Sequence, residues 1–341
     1  GVADVARERE VNVINLVASR LNSPLAEEMP ATMLFDLIDR RRLDGMVVFA
    51  EMLYHFTNAP TLAEFLERYR PLPMTSVGLL PGIPGVVVDI AGGMRDMMTH
   101  LIEVHGCCRL ALLHGPVGEE TAEAMARGYA QALRMHDIFL DPYLVTVPGA
   151  SWGAELGYEG VRTLVDDFGL QPGRDFDGVV GCGDFESLAF IEALQARGYR
   201  VPHDIAVTGF NNLEVTRYAT PSLTTVDRRI AELSRQATTM LLDLLEGREE
   251  PQQIVLSPQL VVRRSCGCMP QTVTSAAWSI PDRPAPAADQ SAPAATLAAV
   301  ARAGSLEHHI HPSPVRRLEN RIHWVGGRID RNCAVARGDL Q

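Results

Sequence analysis

The chain has 341 residues, a formal net charge of −11 and 46% hydrophobic residues, with a mean hydropathy of +0.01. That is enough chain for two core-bearing units and the composition of a soluble globular fold, not of a disordered or membrane-embedded one. The acidic balance disfavours nonspecific nucleic-acid binding.

Taken in order, Gly1 to Glu10 reads as the last turns of a helix, with Val2, Val5 and Ala6 on one face. Val11 to Ala18 reads as a strand and Ser19 to Ala31 as a loop. Thr32 is placed to cap a helix running to Arg42. Strands are expected at Asp44 to Ala50, Met74 to Gly78 and Gly85 to Asp89, with helices at Leu62 to Tyr69 and Gly92 to His105. The pattern then restarts. Strands at Arg109 to His114, Tyr143 to Val147 and Phe176 to Gly181 alternate with helices at Glu120 to His136, Trp152 to Phe168 and Phe185 to Tyr199. Such alternation predicts an α/β fold with parallel sheets covered by helices on both faces.

Val201 to Asp227 follows. Asp204 to Phe210 is a short β-branched run that suits a buried parallel strand. Gly209, Asn211 and Asn212 end it in a turn at its carboxyl end, where open α/β sheets bind ligands. Thr224 to Val226 is extended. From Arg228 the apolar residues Ile230, Leu233, Ala237, Leu241, Leu244 and Leu245 fall at helical spacing, and Gly247 stops that helix. After Cys268, Pro270 to Ala299 is rich in Pro, Ala, Ser and Thr and reads as a linker. Ala301 to Gln341, with His308, His309, His311 and His323, reads as a solvated tail.

The segments Val201-Pro202, Asp204 to Val207, Gly209-Phe210, Pro221 and Leu223 to Val226 resemble the end of the effector-binding domain of lactose-repressor (LacI) family regulators. Leu260 to Ser265 is similar to that domain's closing strand, and Cys266-Gly267-Cys268 resembles a branch fused to signalling output modules. The resemblance covers about Gly1 to Cys268. It implies the periplasmic-binding-protein type I architecture, two Rossmann-like subdomains joined by three crossovers. The first would comprise residues 1–104 and 228–257, with its first strand lacking. The second would comprise 105–227 and 258–268, leaving 269–341 as linker and tail.

The same resemblance supplies positions for an effector cleft. Asp89 matches the aspartate of a Val-Asp-Asn-x-x-Gly-Gly turn, with Gly92 and Gly93 retained. Trp152 matches an aromatic that stacks on sugar rings. The cleft arginine of the family falls on Met125, its Asn-Asp pair on Gly183-Asp184, and its ligand-binding aspartate on Asn211. With Met125 in place of a charged fork and Asn211 in place of a carboxylate, the pocket should be less polar than that of a sugar repressor. Asp89 and Asp184 could equally cap the helices that follow them, and Trp152 could equally be partial core.

No set of catalytic residues is evident: there is no Walker loop, HExxH or GxSxG. Gly115 to Gly118 lacks the GK[ST] ending of a phosphate loop. The six cysteines form a pair (Cys107, Cys108), a CxC (Cys266, Cys268) and singles at Cys182 and Cys333, which is no disulfide scaffold. Cys266-x-Cys268 alone cannot complete a tetrahedral zinc site, so neither a metal nor a cofactor is expected. The resemblance therefore implies a non-enzymatic, cytoplasmic sensor domain that binds a sugar or nucleoside-like effector and forms a homodimer. It should have no membrane contact and reach DNA only through a segment outside this chain. A solute receptor of a transport system, or a degenerate domain serving only dimerisation, are the alternatives.

Overall fold

The computed structural model describes residues 1–17, 21–22, 33–38, 41–54, 57, 59–149, 152–248 and 252–268. All lie in the compact unit Gly1–Gln271. The expected linker and tail at 269–341 fall outside the described residues.

Nine strands and nine α-helices alternate among the described residues. In chain order they are α1 (Val2–Glu8), β1 (Met46–Phe49), α2 (Ala50–Tyr54), α3 (Ala59–Glu67), β2 (Met74–Val77), β3 (Gly85–Val88), α4 (Ile90–His105), β4 (Leu110–Leu113), α5 (Glu120–Met135), α6 (Ala154–Val161), β5 (Gly178–Gly181), α7 (Asp184–Ala196), β6 (Ala206–Phe210), α8 (Val215–Tyr218), β7 (Thr224–Asp227), α9 (Ile230–Leu245), β8 (Gln253–Leu256) and β9 (Gln259–Val261). They form two sheets, of order β1-β2-β3-β8 and β4-β5-β6-β7-β9. Every pairing is parallel except β7 with β9. The chain passes from the first sheet to the second after β3, returns after β7, and passes again after β8.

The second sheet shows why short apolar runs become buried strands. Leu110, Leu112 and Val180 face one core layer, with α4 and α5. Their neighbours Ala111, Leu113 and Val179 face the other, with Val161, Leu164, Phe190 and Leu194. That is the period-two alternation of a strand covered on both faces. Helix α4 buries Met94, Met97, Met98 and Leu101 completely, the i, i+3, i+4, i+7 stripe of an amphipathic helix. Asp89 caps its start, and Gly106, at φ 67°, closes it in the left-handed conformation that glycine adopts without a Cβ penalty. In the first sheet, Leu233, Ala237 and Met240 of α9 cover Val77 and Val86. Leu62, Phe65 and Leu66 of α3 pack with Val48 and Met74 in a separate core.

Helix α4 corrects the expected first crossover. Its apolar stripe packs on Leu110, Val180, Phe210 and Val226 of the second sheet, so the chain leaves the first sheet at Asp89 and not near His105. Amphipathicity names the buried stripe of a helix but not the sheet that buries it. Residues 11–17 are also not a strand. Val13, Ile14 and Val17 are exposed, because an apolar run without a neighbouring backbone has no ladder to join. At 143–147, Pro142 opens a short 3-10 turn, Pro142–Leu144, and only Val145 bridges to Leu112. The described part of the expected Thr32 to Arg42 helix is a 3-10 turn, Met33–Leu37. The helix after Trp152 ends in a π-helical stretch over Arg162–Asp167. Strand β8 and helices α2 and α8 have no counterpart in the sequence reading.

Candidate effector cleft

Parallel pairing puts the carboxyl ends of neighbouring strands on one edge. On the second sheet that edge carries Gly115 after β4, Asp184 after β5, Asn211 after β6 and Arg228 after β7. On the first it carries Glu51 after β1, Gly78 after β2 and Asp89 after β3. Arg228 donates to Glu51 Oε1, which ties the crossover after β7 to the start of α2. The Arg228 side chain is 12% exposed, and its Nε is buried without a hydrogen-bond partner among the described residues.

The five residues singled out from the sequence take different places. Asp89 is a helix cap: Gly92 N donates to its Oδ1 at 2.8 Å, and Arg95 pairs with Oδ2 at 3.3 Å. Met125 is 1% exposed and sits in the core with α4. Trp152 is half-buried and packs on the same core. Its indole lies over Gly115, where a Cβ would stand 2.5 Å from Trp152 Cη2. Glycine at 115 is what leaves room for the ring.

Asp184 is fully buried. Thr225 Oγ1 donates to its Oδ1 at 2.6 Å and Leu213 N to its Oδ2 at 2.7 Å. Burial pushes the Asp184 carboxyl up to about 6, against the opposing pull of these two bonds. Each oxygen accepts one bond that holds β7 or the loop after β6 against α7. Asn211 is the contrasting case. It is half-exposed, its φ is 109°, and its N–H donates to Val226 O at 2.9 Å. Its side-chain amide makes no hydrogen bond among the described residues. The left-handed backbone, which asparagine tolerates better than most residues, leaves that amide uncommitted.

Three further residues build the edge. Arg263 donates from Nη1 to Thr216 Oγ1 at 2.9 Å and to Leu223 O at 2.8 Å, and from Nη2 to Asn212 Oδ1 at 2.6 Å. Asn212 Nδ2 in turn donates to Asp227 Oδ2 at 2.9 Å. One guanidinium thus fixes the loop after β6 from the chain beyond β9. Buried Glu186 accepts from Gly153 N at 2.8 Å and so anchors the residue after Trp152; its burial raises its pKa. Asn212 was visible in the sequence as a turn residue. Arg263 and Glu186 carried no local signal, because their partners lie on other strands.

Two cavities, of about 290 and about 180 Å³, lie elsewhere: one beside α6, lined by Thr146, Leu156 and Phe168, and one beside the β2–β3 turn. Neither is lined by the five cleft residues. One group of His and Cys side chains among the described residues has ligand atoms close enough to share an ion: His100, His105, Cys266 and Cys268. It lies at the far end of α4 from Asp89.

Two largely parallel sheets joined by three passages, with polar side chains along their carboxyl edges, define the periplasmic-binding-protein-like class. Residues 98–266 match the model of the periplasmic binding protein-like domain. The HTH-type transcriptional repressor PurR of Haemophilus influenzae (strain PittEE) is 27% identical over 237 residues, 67% of this chain and 66% of the relative. The transcriptional regulator CelR, solved as a cellobiose complex, is 28% identical with a TM-score of 0.58, covering 71% of each chain. A LacI family regulator from Mycobacterium smegmatis is 25% identical with a TM-score of 0.63, covering 77% of this chain and 91% of that one. The chain thus carries a periplasmic-binding-protein-like domain and resembles the effector-binding domain of LacI-family transcriptional regulators, which are its homologues. It spans just under two thirds of the length of the PurR relative. No helix among the described residues is long and apolar enough to cross a membrane.

Proposed function

We propose that this chain is the effector-sensing part of a LacI-type regulator or signalling hybrid, with a small molecule held between the carboxyl edges of the two sheets. The observation that carries this reading is the free, half-exposed amide of Asn211 on an edge otherwise built from committed polar groups. Trp152 offers a ring face and Asp89 a half-exposed carboxylate. Asp184 and Met125 shape the floor from beneath. Such a site suits a neutral polar ligand, a sugar or nucleoside-like molecule, and the CelR–cellobiose complex makes a disaccharide the first probe. A homodimer, DNA contact through a segment outside this chain, and a cytoplasmic location follow the pattern of regulators in this family, and catalysis is no part of the reading.

The test is a thermal-shift screen of the full chain with cellobiose, other sugars, nucleosides and small acids, followed by calorimetry on each hit. Asn211→Ala should weaken a hit about fivefold, the loss of one hydrogen bond of about 1 kcal/mol. Trp152→Ala should weaken it further. A hit bound equally well by both variants would show that the cleft is elsewhere. The commitment of Asp184 and the apolar Met125 favour one second reading, a domain that has lost its ligand and serves as a dimerisation platform. That reading gains if no compound shifts the melting temperature while light scattering reports a dimer.

A further inference from the structure

Helix α4 ends in His105, and His100 lies five residues before it. The chain beyond β9 turns through Arg264 to Gly267 and brings Cys266 and Cys268 back against that helix end. Gly267 makes the approach possible. It has φ 107°, and a Cβ there would stand 3.4 Å from His105 Cε1 and Nδ1. The turn lies directly on the imidazole.

Four potential ligand atoms converge. His100 Nε2 and His105 Nε2 are 3.3 Å apart. Cys266 Sγ is 3.5 Å from His100 Nε2. Cys268 Sγ is 3.7 Å from His100 Nε2 and 3.4 Å from His105 Nε2. All four atoms lie within 4.8 Å of one another. A tetrahedron with Zn–N of about 2.05 Å and Zn–S of about 2.3 Å has N···N edges of about 3.3 Å and N···S edges of about 3.6 Å. The four observed distances are those edges. Two carboxylates in the group would have suggested a hard cation; two thiols and two imidazoles suit a borderline-soft one.

The surroundings agree. Cys266 is buried, and its sulfur receives the Thr224 hydroxyl at 3.1 Å, a donor of the kind that supports a ligating thiolate. Thr224 Oγ1 itself accepts from Arg263 N at 2.8 Å. The group also sits at the carboxyl end of a helix, where the backbone carbonyls favour a cation.

We propose that His100, His105, Cys266 and Cys268 form a tetrahedral Cys2His2 site for zinc, a structural clamp that fastens the chain leaving β9 to the end of α4. Binding deprotonates the two thiols, releasing their protons to solvent, and two thiolates then balance the charge of the dication. With four protein ligands the site has no open position, so its role is to hold and not to catalyse. The clamp fixes Cys268 to the same helix whose first turn carries Asp89 at the proposed cleft. It does not depend on the effector reading.

The experiment uses the full chain without an affinity tag, purified reduced and with zinc in the medium. Metal analysis should find about one zinc per chain, and a Cys266→Ser/Cys268→Ser variant should lose it. That comparison also removes any contribution from the histidines at 308–323, which both proteins keep. Stripping the metal with a chelator should lower Tm, and zinc should restore it. Replacement by cobalt should give a thiolate-to-cobalt charge-transfer band in the wild type and none in the double variant. His105→Gln keeps the fold accessible to test by exchanging one half-buried ligand, and should weaken zinc at least tenfold. Equal zinc content in wild type and double variant would overturn the proposal. So would a wild type that takes up no zinc when fully reduced, or a Cys266–Cys268 disulfide that persists in reductant.

Discussion

The Thr225 hydroxyl donates to the buried Asp184 carboxylate at 2.6 Å, and this single bond joins the penultimate strand of the second sheet to the first turn of α7. Leu213 N occupies the other oxygen. Together they make Asp184 a bracket between β7, the loop after β6 and α7.

Asp184 should make stability depend on pH with a definite sign. Its pKa is raised from 3.8 to about 6 in the folded state. A raised folded pKa means that its favourable contribution is complete below about pH 4 and is lost as pH rises through 6. Between those limits the loss is on the order of 3 kcal/mol. Asp184→Asn removes the titration. Denaturant unfolding should therefore show wild type losing ground to the variant between about pH 4 and 6 and levelling off above that. A constant difference between the two proteins would mean that Asp184 titrates normally.

Arg263 bridges Thr216, Leu223 and Asn212. Arg263→Ala leaves three acceptors short of a donor and should cost about 2–3 kcal/mol of unfolding free energy. Arg263→Lys should recover little, because one ammonium cannot reach three acceptors laid out for a planar fork. Chemical denaturation of the two variants reads the difference, and full rescue by lysine would contradict the geometry.

Gly157 marks the closest approach of α6 to α7. A Cβ there would lie 2.1 Å from Glu186 O and 2.7 Å from Phe190 N, both backbone atoms that cannot swing away. Gly157→Ala should cost about 2 kcal/mol or more by forcing the helices apart. Gly169, at φ 68° with open space around it, should cost only about 1 kcal/mol as alanine, the left-handed backbone penalty alone. Melting curves rank the two directly.

The Arg228–Glu51 contact spans the two carboxyl edges, and Glu51 is 48% exposed. Glu51→Gln should change stability by less than about 1 kcal/mol, since solvent screens such pairs. It should instead alter the spread between the two sheets, visible as a change in radius of gyration by X-ray scattering. An unchanged scattering curve would show that the pair does not set that spread.

The sequence by itself determined the alternation of strand and helix, the helix from Gly92 to His105 and the polar turn at Asn211, because these rest on periodicity and on the backbone preferences of single residues. It also read Asp89 as a possible cap, since Gly92 is three residues away and the bond is local. What it could not decide was partnership across distance. The stripe of α4 fits either sheet equally well, and only packing chose the second. The partners of Asp184, Thr225 and Leu213, lie 41 and 29 residues away and were set only by packing. The apolar residues of 11–17 have strand character but no strand to pair with among the described residues. Cys266 and Cys268 form an incomplete metal motif until His100, 166 residues from Cys266, is brought against them. Local preferences act over a few bonds; the fold alone fixes which of the remaining side chains meet.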